Sequence, residues 1–339
     1  MDIQKEIIRV TAEYFKDNPD LQKLANASKE YKSILNEICG QNVDIEVGRN
    51  NIELANGMAL NTSGAALCLD DTWRTRQFIQ GIDKAIQEKL TTQKPAHILY
   101  AGSGPFATLI LPFLFRYSPK EIKYTLLEIN PYSCQLLQNV ISKLGLEKHD
   151  ITLINTDATN YKIDPRNEPD IVVSETMQSA LAKEPQVPIF LNLMSQLKHD
   201  SIFIPEKIEL FVGMKKSGIS MGEIQAKHFH KEKKVFEVSK ESMFSVDPLE
   251  RLTTKESPFT KQQTTLDPEK LKGFDHLVII TEIHIYKNAK IDIYESGLTA
   301  PIFITNISDD PKDSITIDTQ YKISSDPKLE YKITVSNKL

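Results

Sequence analysis

The sequence predicts an α/β chain in which a doubly wound parallel sheet follows a helical region and precedes a β-rich, barrel-like part. Three observations carry that prediction. Apolar residues recur at helical spacing through the first 90 positions, short β-rich runs alternate with helical stretches from His97 to Pro205, and a period of two takes over after Pro205. Length agrees, since 339 residues correspond to about two domains at ~150 residues each.

The N-terminal region, 1–69, reads as helices. Ile3, Ile7, Val10 and Tyr14 share one helical face, and after Asn18-Pro19 the set Leu24, Tyr31, Leu35, Ile38 repeats the pattern until Gly40 ends it. Residues 41–68 show no clear period. Asp70-Asp71 then caps a further helix with the stripe Ile79, Ile82, Ile86, Leu90. The second region, 70–205, holds the strand candidates His97–Ala101, Tyr124–Ile129, Ile151–Asn155, Ile171–Ser174 and Ser201–Ile204, with helical stretches such as Pro105–Arg116, Pro131–Leu144 and Gln186–Leu197 between them. That spacing is the signature of βαβ units. In the third region, 206–339, Ile208, Leu210, Val212, Met214 alternate, as do Leu329, Tyr331, Ile333, Val335 and the shorter pair Ile291, Ile293, so each reads as a half-buried antiparallel strand. The polar stretch 216–273 reads as long excursions from this β-rich part.

Composition narrows the function. An apolar fraction of 40% with 26% charged residues is that of a globular protein and excludes wholesale disorder. Lys plus Arg 41 against Asp plus Glu 46 gives a net charge of -5, which argues against a nucleic-acid partner. Three cysteines without a C-x-x-C pair suggest neither a disulfide framework nor a thiolate zinc site, and fit a reducing, cytoplasmic compartment. The start has no uninterrupted apolar core of a signal peptide, and the most apolar run, Ala107–Phe115, is far short of the ~20 residues of a membrane span. A soluble protein is expected. His228 and His230 could share one face of a strand, but no acid or cysteine is placed to complete a metal site, so no metal is assigned. Lys231–Lys234 reads as a solvated edge.

The chemistry is concentrated in the second region. Gly102 and Gly104 follow the apolar run His-Ile-Leu-Tyr-Ala and precede the helical pattern that Pro105 opens, which predicts strand, glycine turn and a helix N-terminus with N–H groups facing an anion. A tight turn alone would also use such glycines. Glu128 closes the second strand, where a carboxylate of a nucleotide-binding α/β fold holds ribose hydroxyls, and Asp157-Ala158 follows the third, where Asp157 could accept from an adenine amino group or simply make a turn. The fourth strand runs into Ser174-Glu175-Thr176-Met177, with Glu184 nine residues after Glu175. Two carboxylates converging on a guanidinium give bidentate, charge-assisted hydrogen bonds that fix its plane, and each raises the other's proton affinity, so that one can act as a base.

Taken in order, these motifs resemble the class I S-adenosylmethionine-dependent methyltransferases, with Ala-Gly-Ser-Gly-Pro as the cofactor turn. The Glu175 to Glu184 segment looks like the double-glutamate loop of the protein arginine methyltransferases, and Asp71-Thr72-Trp73-Arg74-Thr75 is similar to that family's acidic-x-x-Arg-Thr segment. The resemblance covers roughly 70–215. It implies a Rossmann-like methyltransferase domain and S-adenosyl-L-methionine as donor, with S-adenosyl-L-homocysteine as product. Arg74 is expected on the donor carboxylate, Gly102, Ser103 and Gly104 at its methionyl part, Glu128 on its ribose, and Asp157 with Ala158 at adenine. Glu175 and Glu184 are the expected catalytic pair on a cationic or guanidino acceptor, either an arginyl side chain of a protein or a small metabolite. A homodimer through an arm within 216–273 is implied as well. Three features depart from the family: Tyr100 stands where most methyltransferases have an acid, Ser296-Gly297-Leu298-Thr299 stands where the family has Thr-His-Trp, and residues 1–65 do not match its aromatic-rich helix. A non-catalytic binding protein and an aminopropyl-transferase-like enzyme on the same scaffold are the alternatives.

Overall fold

The apolar stripes of the first ninety residues form helices, because only a 3.6-residue repeat brings them to one face. The computed structural model describes residues 3–39, 50–90, 94–218, 226–243 and 258–336. Helix α1 (Ile3–Thr11) and the 3-10 turn after it bury Ile7, Val10 and Tyr14, and α2 (Leu21–Cys39) buries Leu24, Tyr31, Leu35 and Ile38. Ile3 is exposed instead, and Gly40 lies outside the described residues. Where no period was readable, the chain forms a hairpin of β1 (Ile52–Leu54) and β2 (Gly57–Ala59) and the short helix α3 (Thr62–Leu67). Elements of three to six residues are too short to show a repeat. Helix α4 (Thr72–Lys89) starts on Asp71, whose carboxylate accepts from the Arg74 N–H at 3.1 Å, and it buries Ile79, Ile82 and Ile86.

Next come β3 (Ala96–Ala101), the single turn α5 (Leu111–Leu114), β4 (Ile122–Glu128), α6 (Pro131–Lys143), β5 (Ile151–Asn155), β6 (Ile171–Ser174), α7 (Gln186–Met194) and β7 (Ile202–Ile204). The five strands pair in parallel in the order β5-β4-β3-β6-β7. β3 and β6 are buried along their whole length, as expected of central strands covered on both faces. The order reverses between β3 and β6, so a crevice opens beyond their C-terminal ends. One expectation fails here: the predicted helix 105–116 is a run of turns from Gly104 to Ile110 followed by α5 alone. Ala107 takes a left-handed φ of 45°, which no α-helix can accommodate.

After a cis Ile204–Pro205 bond the strands become antiparallel. β8 (Lys207–Lys215), β9 (Phe229–Ser239), β11 (His276–Tyr286) and β12 (Ala289–Ile291) form a sheet in the order β12-β11-β8-β9, with β13 (Ile302–Asn306) also pairing to β11. A second sheet is made of β10 (Gln262–Leu266), β14 (Ser314–Lys322) and β15 (Lys328–Ser336). Phe236 of β9 stacks on Tyr321 of β14 at 4.3 Å between ring centres, joining the two into a half-barrel. Within the stretch 216–273, β9 and β10 are integral strands of these sheets, and residues 219–225 and 244–257 lie outside the described ones. Ile293 leaves the sheet after Ile291, since β12 ends there and Tyr294 turns the chain with a φ of 62°. Tyr331 and Val335 of the edge strand β15 are exposed rather than half-buried, so the alternation there marks only a face that no described element covers. Among the described residues no helix is long and apolar enough to cross a membrane.

Helix α4 is wedged between the two halves, and Gly81 is where it meets β11. A Cβ on Gly81 would lie 2.5 Å from Ile285 Cγ2 and 3.4 Å from Tyr286 Cβ. Replacing Gly by Ala in an ordinary helix interior stabilises by ~1 kcal/mol, but overpacking a filled core costs ~1–3 kcal/mol. The packing effect dominates at 2.5 Å, so Gly81→Ala should lower the denaturation midpoint, a result opposite in sign to that of an exposed helical glycine.

Candidate active site

Beyond the C-terminal ends of β3, β4, β5 and β6 lies a cavity of about 260 Å³, close to the lower end of small-molecule sites. The nine residues singled out in the sequence all line it: Arg74, Gly102, Ser103, Gly104 and Glu128 on one part, Asp157, Ala158, Glu175 and Glu184 on the rest. Leu54, Ala59 and Leu60 of the hairpin region and Ala65 of α3 line another wall, so the cover comes from the segment without a period rather than from α1 and α2.

The glycine turn differs from its expected role. Gly102 and Ser103 both donate their N–H to the Leu127 carbonyl, at 2.9 and 3.1 Å, and Gly104 donates to Glu128 Oε2 at 2.7 Å. Pro105 has no N–H, so no backbone N–H from Gly102 to Pro105 remains for an anion. Both glycines need their left-handed φ, 77° and 63°. At Gly102 the missing side chain also makes room for the protein itself, because a Cβ would lie 2.4 Å from Thr176 Cγ2.

Glu128 is buried, and its other oxygen accepts from the Asn130 N–H at 2.8 Å. Burial raises its pKa, opposed by the N–H groups of Asn130 and Gly104. Each carboxylate oxygen retains a lone pair beyond these bonds. Asp157 accepts from the Thr159 N–H at 2.8 Å and the Asn160 side chain at 3.4 Å, so it makes the turn as well as lining the cavity.

Arg74 is buried beside Glu175. Its Nη1 stands 3.4 Å from both carboxylate oxygens, well beyond the ~2.7–2.9 Å of a charge-assisted bond. Nη2 donates to the Cys68 carbonyl at 2.5 Å. Burial works against this charge, but Glu175, Cys68 and Asp71 outweigh it and raise the guanidinium's pKa. The Cys68 side chain also takes a bond from this guanidinium, so of the five N–H donors of an arginine these contacts leave two for a ligand carboxylate. The Asp71 carboxylate that caps α4 also accepts from Ser296 Oγ at 2.6 Å and the Gly297 N–H at 3.1 Å, tying the base of Arg74 to the β-rich half.

The segment from Glu175 to Glu184 is held against its own preferences. Ala180, Leu181 and Lys183 all have left-handed φ values, 55°, 57° and 67°, each costing about 1–3 kcal/mol. Bonds from distant elements hold them. Thr281 of β11 accepts from the Ala180 N–H, Tyr321 of β14 donates to the Leu181 carbonyl at 2.8 Å, and the Met58 N–H of β2 reaches the Lys183 carbonyl at 2.9 Å. Gln186, which no sequence signal indicated, closes the loop by accepting from Ser174 Oγ, Thr176 N–H and Thr176 Oγ1 and donating to the Ser174 carbonyl. Burial lifts Glu175 to about 7, with Arg74 opposing, and lifts Glu184 to about 8, with Glu175 adding to the rise.

Outside this cavity, Glu209, Glu282 and His284 lie within 4.8 Å of one another on β8 and β11. Lys207, Lys231 and Lys234 pair with their carboxylates, so ammonium groups already supply the positive charge there. His230 pairs with Glu232 at 3.1 Å.

A parallel sheet with this crevice and an antiparallel half-barrel behind it form the class I methyltransferase fold in the two-part arrangement seen in protein arginine methyltransferase structures. Two solved structures carry the comparison. The chain superposes on the Trypanosoma brucei PRMT1 enzyme-prozyme heterotetrameric complex with AdoHcy at a TM-score of 0.54, with 12% identity over 80% of this chain and 92% of that one. Against the open conformation of Arabidopsis thaliana protein arginine methyltransferase 10 the TM-score is 0.55, with 10% identity over 79% and 91%. The sequence matches no protein-family model and no curated protein.

The contact between Gly102 and Thr176 makes a testable pair. Gly102→Ala should destabilise the chain by ~1–3 kcal/mol through overpacking and left-handed strain. Adding Thr176→Ser, which removes Cγ2 and keeps the hydroxyl for Gln186, should restore part of that loss in denaturant melts, whereas strict additivity would refute the coupling.

Proposed function

We propose that the chain is an S-adenosylmethionine-dependent methyltransferase acting on a nitrogen of a cationic, guanidino-type acceptor. The observation that carries this reading is the pairing, in one cavity, of a buried strand-end acid with a buried Arg–Glu–Glu group. The residues fit the donor's parts. Glu128 has acceptor capacity left for ribose hydroxyls, Arg74 has donors left for a carboxylate, and Asp157 with Ala158 stands at the far strand end, for adenine. When bound, S-adenosylmethionine supplies a methyl group already activated on sulfur.

The remaining work falls to this chain's side chains. Glu175 and Glu184 would accept N–H bonds from the acceptor, fix its plane and hold it dry. One of them would also take the proton that the acceptor nitrogen gives up. Glu184 suits that role better, because Glu175 is engaged by Arg74 and Glu184 has no cationic partner of its own among the described residues. A homodimer through an arm within 216–273 and a cytoplasmic location belong to this reading as well.

Titration calorimetry with S-adenosylhomocysteine should give micromolar affinity for the wild type. Glu128→Ala should lose about tenfold, while Glu184→Gln should bind the cofactor normally. No binding by the wild type would refute the methyltransferase reading in favour of a scaffold role.

The pH profile tests the base role of Glu184 further. Below about 8 Glu184 carries a proton, and a cation must displace it, so kcat/KM for a guanidino acceptor should rise with pH and level off above 8. A guanidinium keeps its charge throughout this range. The rise therefore belongs to the enzyme, and a flat profile between pH 6 and 8 would remove Glu184 from the base role.

A further inference from the structure

Strand β15 is the last of its sheet and pairs on one side only, with β14. A free edge offers a row of N–H and C=O groups to a further strand, and proteins usually blunt it with a proline, a bulge, a cover or lysines. Among the described residues β15 lacks the first three. It holds no proline, its register to β14 runs unbroken from Lys328 to Ser336, and the nearest backbone bond from outside the sheet, from the Lys183 N–H to the Pro327 carbonyl, falls just before the strand begins. One face carries Leu329, Tyr331, Ile333 and Val335 beside the buried row Tyr321, Thr319, Ile317 and Ile315 of β14. Leu329 is buried too, but Tyr331 is 42% and Val335 57% exposed, so the apolar face runs on past its cover.

Lysines are present, and their placement indicates which strand the edge accepts. The other face of β15 reads Lys328, Glu330, Lys332, Thr334. Glu330 meets Lys322 of β14 at 2.8 Å, whereas Lys332 has no carboxylate partner among the described residues. Opposite residues of an antiparallel pair share a face, so a two-fold axis relating two identical strands must pass through a residue. An axis at Glu330 would set that acid on its own copy and Lys328 against Lys332, and an axis at Lys332 would set two lysines together. An axis at Ile333 leaves every charge unmatched. An axis at Tyr331 sets Glu330 against Lys332 twice, Leu329 against Ile333 twice and Tyr331 on Tyr331, all between Lys328 and Thr334. Opposite charges and aromatic pairs facing each other across strands are stabilising. The edge that repels an arbitrary strand is therefore complementary to itself.

We propose that β15 is a docking edge for a second copy of this chain, the two β15 strands pairing antiparallel about a two-fold axis at Tyr331. The pairing joins two three-stranded sheets into one continuous sheet and extends the cover over Tyr331 and Ile333. This surface lies outside 216–273 and does not depend on the methyltransferase reading.

A charge swap, read by sedimentation equilibrium of the full chain in low-salt buffer, tests it. Lys332→Glu sets two acids against each other on both sides of the axis, and Glu330→Lys sets two lysines there. Both side chains are exposed, so melting curves should stay near the wild-type midpoint. Wild type should reach twice the mass of either single variant, for which the dissociation constant of this step should be weaker by about 10- to 100-fold. An equimolar mixture of the two single variants should regain the wild-type mass, because each then meets opposite charges at both positions. The doubly reversed chain, Glu330→Lys with Lys332→Glu, should regain it as well. Equal masses for wild type and both single variants overturn the proposal, whether all are monomers or all share another interface, and leave the edge to a different protein. A mass lost in the single variants but regained in neither the mixture nor the double reversal overturns it too, because the pairing of Glu330 with Lys332 would then be wrong.

Discussion

Burying two carboxylates beside one guanidinium is the constraint on which the rest of this structure depends. Arg74 can balance one charge, and the second acid, Glu184, is left to be protonated when the cavity is empty. Such a group lowers its energy if the loop swings out to water, so the loop must be held in. Three left-handed, non-glycine residues add to the tendency to relax. Thr281, Tyr321, Met58 and Gln186 oppose it with hydrogen bonds, each contributing about 1 kcal/mol and acting together on one short segment.

That requirement explains why the chain has two halves. The parallel sheet brings the ends of β3, β4, β5 and β6 to one edge, which suits a ligand, but it supplies only one side of the glutamate loop. The antiparallel half supplies the other side through β11 and β14. Helix α4 joins the halves: Gly81 lets it approach β11, and Asp71 at its start reaches across to Ser296 and Gly297. Arg74 therefore sits on a rigid support fastened at both ends of the cleft.

Much of this was legible because period and burial speak the same language in long elements. The stripes of α1, α2 and α4 and the five parallel strands follow from apolar residues that water excludes in a fixed rhythm. The glycine turn, Glu128, Asp157 and the Glu175–Glu184 spacing were legible as ordered motifs at strand ends. Other features were not. The stretch 105–116 has helical spacing, but Ala107 is left-handed, a conformation that interrupts a helix. The lysine-rich β9 hides its strand period because acids of the same sheet, Glu209 on the adjacent β8 and Glu282 on β11 beyond it, pair with its charges. β15 alternates as a buried strand does, yet it lies at an edge, and alternation records a face without recording a cover.

By itself the sequence determined the order of elements, the class of fold and the set of residues around the cavity, since all of these depend on local pattern and on motifs carried at the ends of strands. Only the tertiary structure decided how those residues act on one another. It turned the N–H groups of the glycine turn inward to Leu127 and Glu128, gave the space above Gly102 to Thr176 and brought the hairpin 52–59 over the cavity. The physical reason is range: a hydrogen bond or a steric contact between residues 74 or 140 positions apart depends on where the folded chain places them, and no local period encodes that distance.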